Sequence, residues 1–112
     1  MSRAWAAALA AAMLAGCATV APVKSGAAVD GRDFAARACA GCHAIGAAGE
    51  SRNERAPPFR SLARERSDQQ LRAAIDEISS NGHVEMPPIY VTPAERDALV
   101  AYLRRLRPAA NT

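Results

Sequence analysis

Aromatic side chains are scarce in this 112-residue chain: one Trp, two Tyr and two Phe make up 4% of it. Trp5 falls in an N-terminal apolar run, so Phe34, Phe59, Tyr90 and Tyr102 are the only aromatic residues left to bulk out a core. Histidine is as sparse, with His43 and His83 alone, and no cysteine follows Cys42. A zinc site takes four ligands, commonly as two spaced pairs, so this inventory argues against one. No convincing strand pattern is present, which removes the strand-helix-strand setting of a thioredoxin-like dithiol. A strong charge bias is missing too. The formal net charge is +3, and losing Arg3 with a leader brings it to +2. That gives no support to nucleic-acid binding.

The most informative residues present are Cys39-Ala40-Gly41-Cys42-His43. The order C-x-x-C-H is the attachment pattern for c-type haem. Two intervening residues let one helical turn offer both sulfurs to vinyl groups for thioether formation. His43, next to the second sulfur, can then reach the iron from the same side. The cofactor expected is therefore one haem c, covalent through Cys39 and Cys42.

The N-terminus reads as a targeting segment. Met1-Ser2-Arg3 is basic, and residues 4–15 are apolar and alanine-rich, as in a secretory leader. The run ends in Leu14-Ala15-Gly16-Cys17, which resembles a bacterial lipobox. Lipidation of Cys17 would account for the odd third cysteine. Two other outcomes stay open: cleavage after Ala18, or retention of residues 4–21 as a membrane anchor of spanning length. All three put the domain outside the cytoplasm, and lipid anchoring would tie it to the membrane from the periplasm. The organisation expected is a leader with lipobox over 1–16, a flexible tether over 17–29, a domain over 30–107 and a tail over 108–112. A tether of this composition reaches roughly 20 Å.

A domain this short buries too little surface to be comfortably stable alone. A haem would fill its centre, and the apoprotein is expected to be largely unfolded. Three helices are legible. Residues 30–43 start with Asp30 as N-cap and Asp33 in the first turn, and Phe34 and Ala38 share a face. Gly31 in that first turn suggests a close helix-helix contact. Residues 67–78 open with Ser67 and Gln70 as a capping box and carry the stripe Leu71, Ala74, Ile75 and Ile78. Residues 79–82 then read as turn. Residues 92–106 open with Thr92, Pro93 and Glu95 and carry Leu99, Tyr102, Leu103 and Leu106. Arginines 52, 55, 60, 64 and 66 form a basic stretch, read as a solvated face before a docking surface or propionate clamp.

An iron held by one histidine needs a sixth ligand or an open face. With Met1 and Met13 in the leader, Met86 is the one methionine of the domain, and His83 is the one other histidine. Both lie in the irregular segment Asn81-Gly82-His83-Val84-Glu85-Met86-Pro87-Pro88, where the prolines suit a rigid loop presenting a thioether. Residues 30–106 resemble the class I c-type cytochromes, the small monohaem bacterial type. The resemblance rests on Gly31-x-x-Phe34-Ala35 before the Cys motif, Ala56-Pro57-Pro58-Phe59 after it, Gly82-His83-x-x-Met86-Pro87, and Leu99-Val100-Ala101-Tyr102-Leu103. It implies an all-α fold of three to five helices around one haem, with His43 and Met86 as axial ligands. It also implies that Phe34 and Tyr102 meet where the terminal helices cross. A carbonyl at Pro57 or Pro58 would accept the ring N–H of His43. The insert between His43 and Pro57 does not align.

The function this implies is one-electron transfer between redox proteins rather than catalysis, because two strong protein ligands leave no place for a substrate. Met86-Pro87-Pro88-Ile89-Tyr90 and Ala44-Ile45-Gly46 are the candidate docking rims. The alternatives are an open-site haem protein, either a sensor or peroxidase-like, and an electron-transfer subunit dedicated to one oxidoreductase.

Overall fold

A computed structural model describes residues 16, 28–83 and 85–109. Cys17, the leader and most of the expected tether lie outside the described residues. Among the described residues there are four α-helices and no strand: α1 (Gly31–Ala38), α2 (Phe59–Glu65), α3 (Asp68–Asn81) and α4 (Pro93–Arg105). None of these helices is long and apolar enough to cross a membrane.

Helix starts follow the side-chain chemistry at each N-terminus. Asp30 accepts the backbone N–H of Asp33 at 3.0 Å. Ser67 and Gln70 make both bonds of a capping box, at 3.2 and 2.9 Å. Thr92 and Glu95 do the same, with Pro93 at the first helical position. Each device satisfies amide donors that the helix itself leaves free.

Helix ends depart from expectation in two places. α1 stops at Ala38 instead of running to His43. The amide of Ala40 reaches back to the carbonyl of Ala35, and Cys39 leaves helical geometry with φ −120°. α3 runs on through Ser79, Ser80 and Asn81, which the sequence reads as turn. There Ser80 Oγ donates to the carbonyl of Asp76 and Asn81 Nδ2 to Glu77 Oε1, so these polar side chains bond within the helix instead of opening it. Gly82 then ends α3 at φ 62°, a left-handed value that suits glycine. α2 has no side-chain cap and is too short to have announced itself by periodicity.

α4 is the centre of the packing and touches each of the other three helices. Leu99, Val100, Tyr102 and Leu103 are buried on it, facing Phe34 and Ala35 of α1, Phe59 and Ala63 of α2, and Leu71 and Ile75 of α3 within one cluster. Each buried Leu, Ile or Phe contributes about 1.5–3 kcal/mol on transfer grounds. α1 crosses α4 at Gly31, where a Cβ would collide with the Ala98 carbonyl group. The close approach expected from that glycine is thus present, against α4. Arg107 fastens the far end, donating to the carbonyls of Ala63 and Arg66 and to Asp68 Oδ1. It caps the carbonyl end of α2 from outside that helix.

Candidate functional site

The Cys motif forms one turn after α1. The amides of Cys42 and His43 both donate to the carbonyl of Cys39, at 3.1 and 2.9 Å. This puts Cys39 inside and Cys42 at the surface. Burial pushes the Cys39 thiol up to about 11, so in the folded arrangement it stays neutral at ordinary pH. A thioether at this position carries no charge to bury.

His43 is buried, and its ring is fixed from two sides. Nδ1–H donates to the carbonyl of Pro57 at 2.7 Å. The Phe59 ring packs at 5.4 Å between centroids, tilted by 51°. With Nδ1 engaged, Nε2 is the nitrogen left for a metal. The segment after the motif, which does not align by resemblance, supports this arrangement. Ser51 Oγ accepts the amide of Ala44, the Asn53 amide donates to the carbonyl of Cys42, and the Phe59 amide donates to that of Ala44. Tyr102 Oη donates to the carbonyl of Ile45 at 2.6 Å, so α4 holds this segment directly.

Met86 comes from the opposite end of α3. Its carbonyl accepts the His83 amide at 2.9 Å, and its amide donates to the His83 carbonyl at 2.5 Å. Gly82 lies beneath this turn so tightly that a Cβ would come within 2.5 Å of the Met86 carbonyl oxygen and 2.8 Å of Pro88 N. Beyond the prolines, the Val91 amide donates to Ser79 Oγ. Glu85 pairs with Arg55, joining the methionine turn to the segment that follows the Cys motif.

Cys39, Cys42, His43 and Met86 all line one cavity of about 690 Å³. His83 lines it as well. The rest of the wall is largely apolar, with Phe34, Leu71, Ile75, Ile78, Leu99 and Leu103 prominent. A volume within about 300–1,000 Å³ is that of a site for a sizeable organic cofactor. Two thiols, a pinned imidazole, a thioether and apolar walls around one such space fit a haem in shape and in donor chemistry. Among the described residues, no three His, Cys, Asp or Glu side chains cluster as a metal site of their own.

The sequence reading did not include the roles of Ser51, Asn53 and Tyr102 Oη, or the Arg55–Glu85 pair. The first two lie in a polar insert with no periodicity to read, and the ion pair joins positions thirty residues apart. Of the basic stretch, Arg52, Arg64 and Arg66 are exposed, Arg55 is paired, and Arg60 is half-buried with Nη1 lacking a partner. Nothing in the structure explains that unpartnered nitrogen.

A family model described as Cytochrome c matches residues 28–107. No curated protein and no solved structure matches.

Proposed function

The chain belongs to the cytochrome c family, and from that membership we propose that it is an exported monohaem carrier, ligated by His43 and Met86, that passes single electrons between redox proteins. Membership implies a covalent haem c, and the C-x-x-C-H spacing of Cys39, Cys42 and His43 agrees with it. When bound, the haem supplies one-electron chemistry at its iron.

The observation that carries the reading is the single cavity shared by both thiols, His43 and Met86. The Pro57 carbonyl orients the imidazole by accepting its Nδ1–H. The apolar walls suit an apolar cofactor, and Gly82, the His83–Met86 pair and the prolines hold the thioether in a braced turn. Sulfur paired with imidazole raises the potential. With His43 and Met86 both bound to the iron no position would be left for a substrate, which favours a carrier over a sensor or peroxidase.

The docking rim proposed is residues 86–90. Tyr90 is 83% exposed there, beside exposed Pro87 and Pro88. A small apolar contact of this kind suits brief encounters between redox proteins. At the other end, Cys17 is the proposed lipid anchor, placing the domain at the periplasmic face of the membrane. Mass spectrometry of the exported protein tests this: a diacylglyceryl group on Cys17 is expected, and a mature chain beginning beyond it would refute the anchor.

The carrier reading is tested by absorption spectra of protein matured with haem-attachment machinery. Pigment resisting acid-organic extraction, a long-wavelength ferric sulfur-to-iron band, and a ferrous form slow to bind carbon monoxide are expected. Rapid carbon monoxide binding would favour the open-site alternative. Met86→Ala is expected to abolish the band and lower the midpoint potential, as read by redox titration.

A further inference from the structure

His83 shares the methionine turn in a particular way. It exchanges both backbone hydrogen bonds with Met86, forming an isolated antiparallel bridge. Residues paired like this stand with Cα atoms about 5.5 Å apart, and their side chains leave the same face of the ladder. Both residues line the one cavity. The imidazole of His83 therefore stands beside the Met86 thioether, at the exposed mouth of the same space. Among the described residues no hydrogen bond holds its ring elsewhere.

We infer that His83 is a reserve sixth ligand: when the Met86 thioether is withdrawn, the imidazole of His83 takes its place on the haem iron and keeps the site closed. The inference rests on the reading of Met86 as the resident ligand. The turn supports it because its backbone does not depend on the sulfur. Gly82 at φ 62°, the reciprocal His83–Met86 bonds and the Ser79–Val91 bond involve no atom of that side chain. Exchange then needs rotation of one side chain instead of refolding of a loop. The chain has no other spare imidazole, since His43 is held by Pro57, and its single lysine, Lys24, lies far back in sequence near the leader. With nitrogen at both poles the potential falls and the iron remains shut to small ligands.

The test compares holo Met86→Ala with holo Met86→Ala/His83→Ala by electron paramagnetic resonance, redox titration and stopped-flow carbon monoxide binding. The single variant is expected to be low-spin with two nitrogen ligands, independent of protein concentration, and slow with carbon monoxide. The double variant is expected to be high-spin and faster by about an order of magnitude or more, because no protein ligand has to leave first. A single variant already high-spin and as fast as the double would overturn the inference. So would low-spin character that appears only at high concentration, which would come from a second molecule. Should Met86→Ala yield no holoprotein, Met86→Leu keeps the side-chain volume and carries the same comparison. Failure of the underlying reading has a separate sign: wild type would lack the sulfur band, and His83→Ala alone would change its spectrum.

Discussion

At the scale of single residues, two glycines position the site by having no side chain. Gly31 lets α1 reach the backbone of α4 at Ala98, and Gly82 lets the methionine turn fold over the end of α3. Their physical reasons differ: Gly31 answers to space, whereas Gly82 answers to both space and a positive φ. Gly31→Ala must separate the two helices, and overpacking of this kind costs about 1–3 kcal/mol. Denaturant unfolding of the holoprotein should show that loss. The ligand candidates themselves were legible, because His43, His83 and Met86 exhaust the suitable side chains of the domain. The bridge that sets His83 beside Met86 was not. It depends on backbone bonds across a turn, and no side-chain pattern encodes those.

At the scale of elements, α3 and α4 were readable because their caps are written in side chains. Ser67 with Gln70, and Thr92 with Glu95, make the reciprocal bonds that the residue types promise. Thr92→Ala should cost about 0.5–2 kcal/mol, checked by thermal or denaturant unfolding. α2 was missed since its N-cap is Pro58, which offers no capping side chain, and its C-terminal carbonyls are capped by Arg107 from a distant part of the chain. The end of α1 was misplaced because the Cys motif turns out of the helix to bury one sulfur and expose the other. Asp68 links α3 to the end of α4, and hydrogen bonds from Arg104 and then Arg107 hold its carboxyl below its ordinary value of 3.8. A depressed carboxylate adds stability at pH above its unfolded value and loses it as the pH falls through the folded value. The share of stability due to Asp68 should therefore be lost as the pH falls below its ordinary value of 3.8, and Asp68→Asn should flatten that limb of the stability curve. An unchanged slope would show that the carboxylate is not coupled to folding.

At the scale of the whole molecule, four short helices surround a space they do not fill. The cluster around it includes Ala35 and Ala63, and Val100 is the largest side chain that is fully buried. A cavity of about 690 Å³ left empty would forfeit more contact than a domain of this size can spare. The unlinked polypeptide should show little helical circular dichroism and no cooperative melt, and the haem-linked protein both. A compact apoprotein that melts sharply would refute this. The pairing of α1 with α4 has a consequence for the order of assembly. Among the described residues the last helix packs against the first, so in a nascent fragment ending before residue 93 α1 lacks the helix it closes against. Contacts between distant parts of a chain form late and slowly. Until the haem is linked and the final helix closes over the first, Cys39 and Cys42 stay open to any enzyme that must reach them.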